Sequence, residues 1–295
     1  MILIDGKQTA AAIKADIKIE VDKIISEGKR APHLVAILVG HDPASETYVG
    51  AKEKACQEVG FKSTLLRFPE SITEKELLEK IVDINKDDEV DGLIVQLPLP
   101  NHIDGHKVTQ YVNPKKDVDG FHSVNVGRLA QGRPGFVCAT PLGIVKLIEH
   151  YKFPTDGKHV VVIGRSNIVG TPVSVLMSRN CYPGNATVTL CHSRTKNIHK
   201  YTKEADILIA AVGKCEFVDA SMVKPGAVVI DVGIHRVPST ETKSGFKLKG
   251  DIKFDEVCKV ASAITPVPGG VGSMTIAALL LNTLASYKQL YFSKD

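Results

Sequence analysis

Apolar residues along this chain gather in short blocks, and between the blocks they recur every third or fourth position. Spans 34–39 and 92–95 are almost wholly apolar and of strand length, and 63–68 reads as a third strand. Span 9–25 places Ile13, Ile17, Val21 and Ile24 near helical spacing, with Gly28 as a stop ahead of Pro32. Spans 45–59 and 73–85 continue the alternation as helices. Helices alternating with buried strands predict an α/β fold whose sheet is largely parallel and covered on both faces.

A second run of the same alternation begins after Gly157. Thr140-Pro141 opens a helix with proline in its first turn, running toward His150. Span 159–163 is then a buried strand, followed at once by a glycine turn and an apolar helix to Arg179, with further strands at 187–191, 206–211 and 227–231. Span 235–249 is polar and rich in turn residues, and reads as a surface excursion without a function.

Open parallel sheets bind ligands beyond the carboxyl ends of their strands, so the segments that follow strands carry the candidate chemistry. After the strand at 34–39, a helix is expected to start near Ser45, with the serine hydroxyl as its cap. Tyr48 and Lys52 lie one turn apart on that helix and project from one face. The pair is an acid/base couple aimed into a cleft, or a half-buried tyrosine under the stem of a lysine. Gln96 ends the strand at 92–95 ahead of Leu97-Pro98-Leu99-Pro100, and its amide either orients a partner or caps the strand. In Lys116-Asp117-Val118-Asp119-Gly120 the paired aspartates lack further oxygen ligands at calcium-loop spacing, so a carboxylate receiving the N–H groups of a heterocycle fits better. His102 and His106 stand outside any His-Glu-x-x-His pattern and read as loop histidines, and no metal site is expected.

Gly164-Arg165-Ser166-Asn167-Ile168-Val169-Gly170 joins a strand to a helix start, the arrangement that receives a dinucleotide pyrophosphate, although the spacing is not that of the G-x-G-x-x-G fingerprint. The next strand ends in His192-Ser193-Arg194, where NAD sites carry an acidic residue that meets the ribose. Donors and a positive charge at that place favour a 2′-phosphate and hence NADP, with Arg165 as a second guanidinium.

Composition narrows the field without choosing a function. The chain has 295 residues, 43% hydrophobic and 24% charged, with a formal net charge of +4 and no basic block, so a nucleic-acid groove is not expected. Six scattered cysteines form no C-x-x-C pair, which points to a reducing compartment. The first apolar run is too short for a secretory core and the later ones too short to span a bilayer, so a cytoplasmic protein without a membrane partner is expected.

Five ordered motifs together resemble the bifunctional methylenetetrahydrofolate dehydrogenase/methenyltetrahydrofolate cyclohydrolase family. They are Ser45-x-x-Tyr48-Val49-x-x-Lys52, Val95-Gln96-Leu97-Pro98-Leu99-Pro100, Asp117-Val118-Asp119-Gly120, Gly164-Arg165-Ser166-x-x-Val169-Gly170 and Pro266-Val267-Pro268-Gly269-Gly270-Val271-Gly272. Ser273 departs from the pattern, since the family carries proline there, and this bears on loop rigidity.

The resemblance implies a folate-binding catalytic domain over 1–140 plus 275–295 and a Rossmann-like NADP-binding domain over 141–274, with the cleft between them, in a homodimer. It implies Lys52 as catalytic lysine, Gln96 as its orienting partner and Tyr48 flanking the folate. Asp119, Pro268 and Gly269 would bind substrate. Gly164, Arg165, Ser166, Gly170, His192, Ser193, Arg194, Ile234 and Thr275 would bind the cofactor. Two other readings stay open on the residues alone: an NADP-linked dehydrogenase of small amino or keto acids, and a non-catalytic nucleotide-binding regulator.

Overall fold

A computed structural model describes residues 1–240, 242 and 245–292. Along the chain the elements are β1 (Ile2–Leu3), α1 (Gly6–Ser26), β2 (His33–Val39), α2 (Pro43–Val59), β3 (Lys62–Phe68), α3 (Glu74–Lys86), β4 (Gly92–Val95), α4 (Gly105–Tyr111), α5 (Ser123–Ala130) and α6 (Ala139–His150). They continue with β5 (His159–Ile163), α7 (Gly170–Ser178), β6 (Thr187–Cys191), α8 (Ile198–Thr202), β7 (Ile207–Ala210), β8 (Val228–Asp231), β9 (His235–Pro238), β10 (Phe246–Lys249), α9 (Phe254–Val257), β11 (Ala263–Ile264) and α10 (Val271–Tyr287).

The chain divides into two compact units, one of Met1–Ala10 with Thr140–Thr275 and one of Ala11–Ala139 with Ile276–Asp295. In the second unit β3, β2 and β4 form a parallel sheet in that order. Every residue of β2 and β4 is buried, which is why both runs are apolar without alternation. Val35, Ile37, Val39, Leu93 and Val95 pack with Leu77, Leu78 and Ile81 from α3 into one core. Thr73 caps α3 and forms a reciprocal capping box with Glu76.

The first unit is built on a six-stranded sheet in the order β1-β11-β8-β7-β5-β6, with every pairing parallel. Residues 1–10 pack with this unit through β1, which pairs with β11, Ile2 opposite Ala263. The polar excursion at 235–249 holds the antiparallel pair β9 and β10, where Arg236 lies over the ring of Phe246. Among the described residues no helix is long and apolar enough to cross a membrane.

Candidate active site

The buried positions of α2 are Ser45, Val49, Lys52, Ala55, Cys56 and Val59, a stripe at helical spacing that faces the unit's core. Lys52 occupies a place in that stripe where the pattern calls for an apolar residue, and it is only 8% exposed. Asp42, rather than Ser45, caps the helix: its carboxylate accepts the Ser45 N–H at 2.7 Å, and Pro43 takes the first turn. Ser45 is thereby freed to lie on the buried face. Gly60, in the left-handed region at φ 82°, ends the helix by donating to the Cys56 and Gln57 carbonyls.

Lys52 Nζ donates to Gln96 Oε1 at 3.2 Å and lies 6.0 Å from the centre of the Tyr48 ring. Gln96 is held on both sides, its backbone N–H donating to the Ile37 carbonyl at 2.9 Å and its Nε2 to the Leu97 carbonyl at 2.7 Å. The amide oxygen is therefore the atom turned to the amine. Tyr48 is 39% exposed, yet the surrounding protein pushes its phenol up from the usual value. Asp119 is half-buried, and burial raises its carboxyl while the positive charge of Lys52 pulls it down. Tyr48, Lys52, Gln96 and Asp119 all fall in the same unit.

The two aspartates that look alike in the sequence have different surroundings. Asp117 is buried and accepts the N–H groups of Phe121 at 3.1 Å and His122 at 2.8 Å and the amide of Asn125 at 2.8 Å. It knits the turn that presents Asp119. At Gly120, φ is +71° and an added Cβ would stand 2.6 Å from the Cys138 nitrogen, so the turn admits only glycine. Asn282 from α10 closes the other side, donating to the Val118 carbonyl at 2.8 Å and the Val137 carbonyl at 2.9 Å.

In the other unit, Gly164 follows β5 and Gly170 opens α7, which begins without a side-chain cap. A Cβ on Gly164 would meet the Ala211 carbonyl oxygen at 2.0 Å, and one on Gly170 would meet the Gly164 carbonyl oxygen at 1.9 Å. Ser166 Oγ accepts the Val169 N–H at 3.2 Å and shapes the turn, while Arg165 stays exposed. Beyond β6, His192 and Thr195 close a tight turn, with Thr195 Oγ1 accepting the His192 N–H at 2.9 Å and His192 Nδ1 accepting the Arg194 N–H at 3.1 Å. Ser193 and Arg194 stand exposed on it. A glycine cradle without side chains and two exposed guanidiniums at the carboxyl ends of parallel strands fit a phosphorylated dinucleotide.

Ile234 is 48% exposed just after β8, and Thr275 Oγ1 lies 3.1 Å from Thr140 Oγ1. Pro268 and Gly269, expected to bind substrate, lie in this dinucleotide-binding unit, where the Gly269 carbonyl accepts the Lys7 N–H at 2.9 Å. Among the described residues no group of three or more His, Cys, Asp or Glu is placed to hold a metal ion. The sequence pattern gives no sign of Asn125, of Asn282, whose partners are distant in the chain, or of the linked set Asp231, His235 and Asp251.

A doubly wound unit with a glycine turn, carried on one chain with a lysine sunk in a helix face, defines a dinucleotide-dependent α/β enzyme. Residues 4–119 match the tetrahydrofolate dehydrogenase/cyclohydrolase catalytic domain and residues 138–291 the NAD(P)-binding domain of the same family. The chain belongs to this family. It is 57% identical to the bifunctional protein FolD of Porphyromonas gingivalis over 98% of both chains. The structure of the bifunctional FolD enzyme from Campylobacter jejuni superposes with a TM-score of 0.92 at 46% identity, covering 98% of this chain and 99% of that one. The Trypanosoma brucei methylenetetrahydrofolate dehydrogenase-cyclohydrolase, complexed with NADP and an inhibitor, does so with a TM-score of 0.92 at 36% identity over 99% of each chain.

Burial pushes Asp117 up to about 7, against the pull of its three donors. The folded state then holds a proton that the unfolded state releases near pH 4, so this group's stabilising contribution falls as pH rises from about 4 to about 7. An Asp117→Asn protein, which cannot titrate there, will be less destabilised relative to wild type at pH 7 than at pH 5. Urea unfolding of both proteins at the two pH values measures the difference; an equal or larger penalty at pH 7 contradicts it.

Proposed function

We propose that Lys52, oriented by Gln96 and flanked by Tyr48, is the proton-transfer group of a bifunctional folate enzyme, and that Asp119 receives N–H groups of the pterin ring. The enzyme oxidises 5,10-methylenetetrahydrofolate to 5,10-methenyltetrahydrofolate with NADP and hydrolyses that product to 10-formyltetrahydrofolate. The observation that carries the reading is an amine buried in an apolar helix stripe with a neutral amide as its hydrogen-bond partner. A lysine kept only for stability would be expected to snorkel to the surface or pair with a carboxylate.

NADP, when bound, supplies the acceptor for the hydride that leaves the methylene carbon. The contribution of this chain to that step is alignment. The hydrolytic step asks for more: water adds to the methenyl carbon and loses one proton, N5 gains a proton as its bond to that carbon breaks, and the remaining hydroxyl proton leaves to solvent as the formyl C=O forms. Lys52 takes the first proton and delivers the second. Gln96 Oε1 engages one N–H of the amine and so sets where the rest of it points. In the cofactor unit, Arg165, Ser193 and Arg194 meet the 2′-phosphate, with His192 shaping their turn and Gly164, Ser166 and Gly170 forming the pyrophosphate cradle. Ile234 and Thr275 complete the cofactor site.

General acid–base groups contribute about 10² to 10⁴-fold, so Lys52→Met should lower cyclohydrolase turnover by that order and leave measurable dehydrogenase activity. Methenyl-folate decay and NADPH formation are followed separately on protein shown by circular dichroism to be folded. Undiminished cyclohydrolase turnover would remove Lys52 from the mechanism. Charge-assisted bonds to the extra phosphate contribute about 1.5 to 3 kcal/mol each, enough for at least a tenfold preference for NADP over NAD in kcat/KM. Equal efficiencies in one buffer would contradict the assignment of Ser193 and Arg194. The chain is further proposed to act as a homodimer, and sedimentation equilibrium at micromolar protein should give twice the chain mass; a single-chain mass there rules the dimer out.

A further inference from the structure

Two buried carboxylates with no role in the scheme above stand at the carboxyl end of the six-stranded sheet. Asp231 is the last residue of β8, and Asp251 follows β10 and is fully buried. Asp251 Oδ2 accepts the N–H groups of Val212 at 2.6 Å and Gly213 at 3.0 Å. Its Oδ1 accepts the Lys214 N–H at 3.0 Å and lies 2.8 Å from His235 Nε2, which donates when the ring carries its proton there. Asp231 supports this arrangement from beneath: Oδ1 accepts the N–H groups of Gly233 at 3.0 Å and of Asp251 itself at 2.9 Å, and Oδ2 that of Ile252 at 3.0 Å.

The surroundings are shaped for these two side chains. A Cβ on Gly233 would stand 2.4 Å from Asp251 Cγ, and one on Gly250 would stand 1.8 Å from Asp231 Oδ2. Burying a carboxylate is costly even when it is hydrogen-bonded, and burial pushes Asp231 up to about 7. What the pair secures is the relation between two loops. Val212 to Lys214 follow β7 and Gly233 to His235 follow β8, and one carboxylate accepts from both.

The strand order locates those loops relative to the cofactor. The glycine turn follows β5 and the Ser193-Arg194 turn follows β6, while β7 and β8 lie on the other side of β5. A dinucleotide with its pyrophosphate on the first turn and its adenosine ribose beyond β6 extends its remaining half across the ends of β7 and β8.

We propose that Asp251, seated on Asp231, is a positioning residue that fixes the loops after β7 and β8 as one surface beneath the nicotinamide half of NADP. The inference rests on the cofactor reading above. It assigns no contact between either carboxylate and the cofactor: the backbone they hold, with glycines at 213 and 233, forms the surface.

The test is calorimetric titration of the full-length protein with two probes, NADP and adenosine 2′,5′-bisphosphate, which ends before the nicotinamide. Asp251→Asn keeps the shape but replaces one acceptor with a donor facing backbone N–H groups. Its NADP dissociation constant should rise tenfold or more while that of the bisphosphate stays within twofold. His235→Leu leaves the carboxylate and its three backbone donors in place, and should weaken NADP alone by two- to fivefold, with His235→Gln restoring affinity. This second pair decides the matter if Asp251→Asn does not fold. Unchanged NADP affinity in folded Asp251→Asn, or equal weakening of both probes, overturns the inference. So does His235→Leu with wild-type affinity for NADP if it is the pair that decides. Wild-type protein that binds neither probe would overturn the cofactor reading, and this inference with it.

Discussion

Placing an amine in the buried stripe of a helix is the constraint around which the catalytic unit is arranged. An amine taken out of water must find hydrogen-bond partners in the protein in place of those it loses. Here the compensation is partial and polar: one amide oxygen at 3.2 Å and an aromatic ring 6.0 Å away. The rest of the unit limits how that side chain can relax. Asp42 fixes where α2 begins, the two backbone ties of Gln96 fix its amide, and the Asp117 turn fixes the carboxylate whose titration responds to Lys52. A lysine held in this way presents its amine in a defined direction, which the proposed proton transfer requires.

The cofactor unit is governed by a different constraint, close approach of backbone to backbone. Gly164 against Ala211, Gly170 against Gly164, and Gly6 against Gly270 are each nearer than any Cβ allows. Side chains are thereby removed from the carboxyl edge of the sheet, and peptide groups are left to form its surface. Asp251 and Asp231 belong to the same design, because carboxylates that gather several N–H groups pin loops through their backbone.

Much of this was legible in the chain itself, and the exceptions share a cause. The apolar runs that became β2, β4 and β5, and the Tyr48/Lys52 spacing on α2, depend on local periodicity, which one sequence displays. Strand β1 has two residues, too few for any periodicity, so its pairing with β11 could not be read. The helix cap shifted from Ser45 to Asp42 because both residue types cap, and the proline that follows Asp42 was the available signal. Asp117 and Asp119 are alike on paper, and only burial and the bond from Asn125 mark Asp117 as the turn-builder. His235 and Asp251 are 16 residues apart with a hairpin between them, which conceals their bond in the linear text.

The order in which the ribosome makes this chain has a consequence for the Asp119 turn. Its clamp, Asn282, belongs to α10, and the whole of 140–275 is synthesised between the turn and its clamp. Domains tend to fold as they emerge, amino-terminal parts first. The nascent catalytic unit can assemble β2, α2 and β4 early, but its Asp119 turn must wait for the two Asn282 hydrogen bonds until α10 has been made. During translation the cofactor unit therefore has its residues in hand before the catalytic unit does, although Ala11–Ala139 of the catalytic unit is made before Thr140–Thr275.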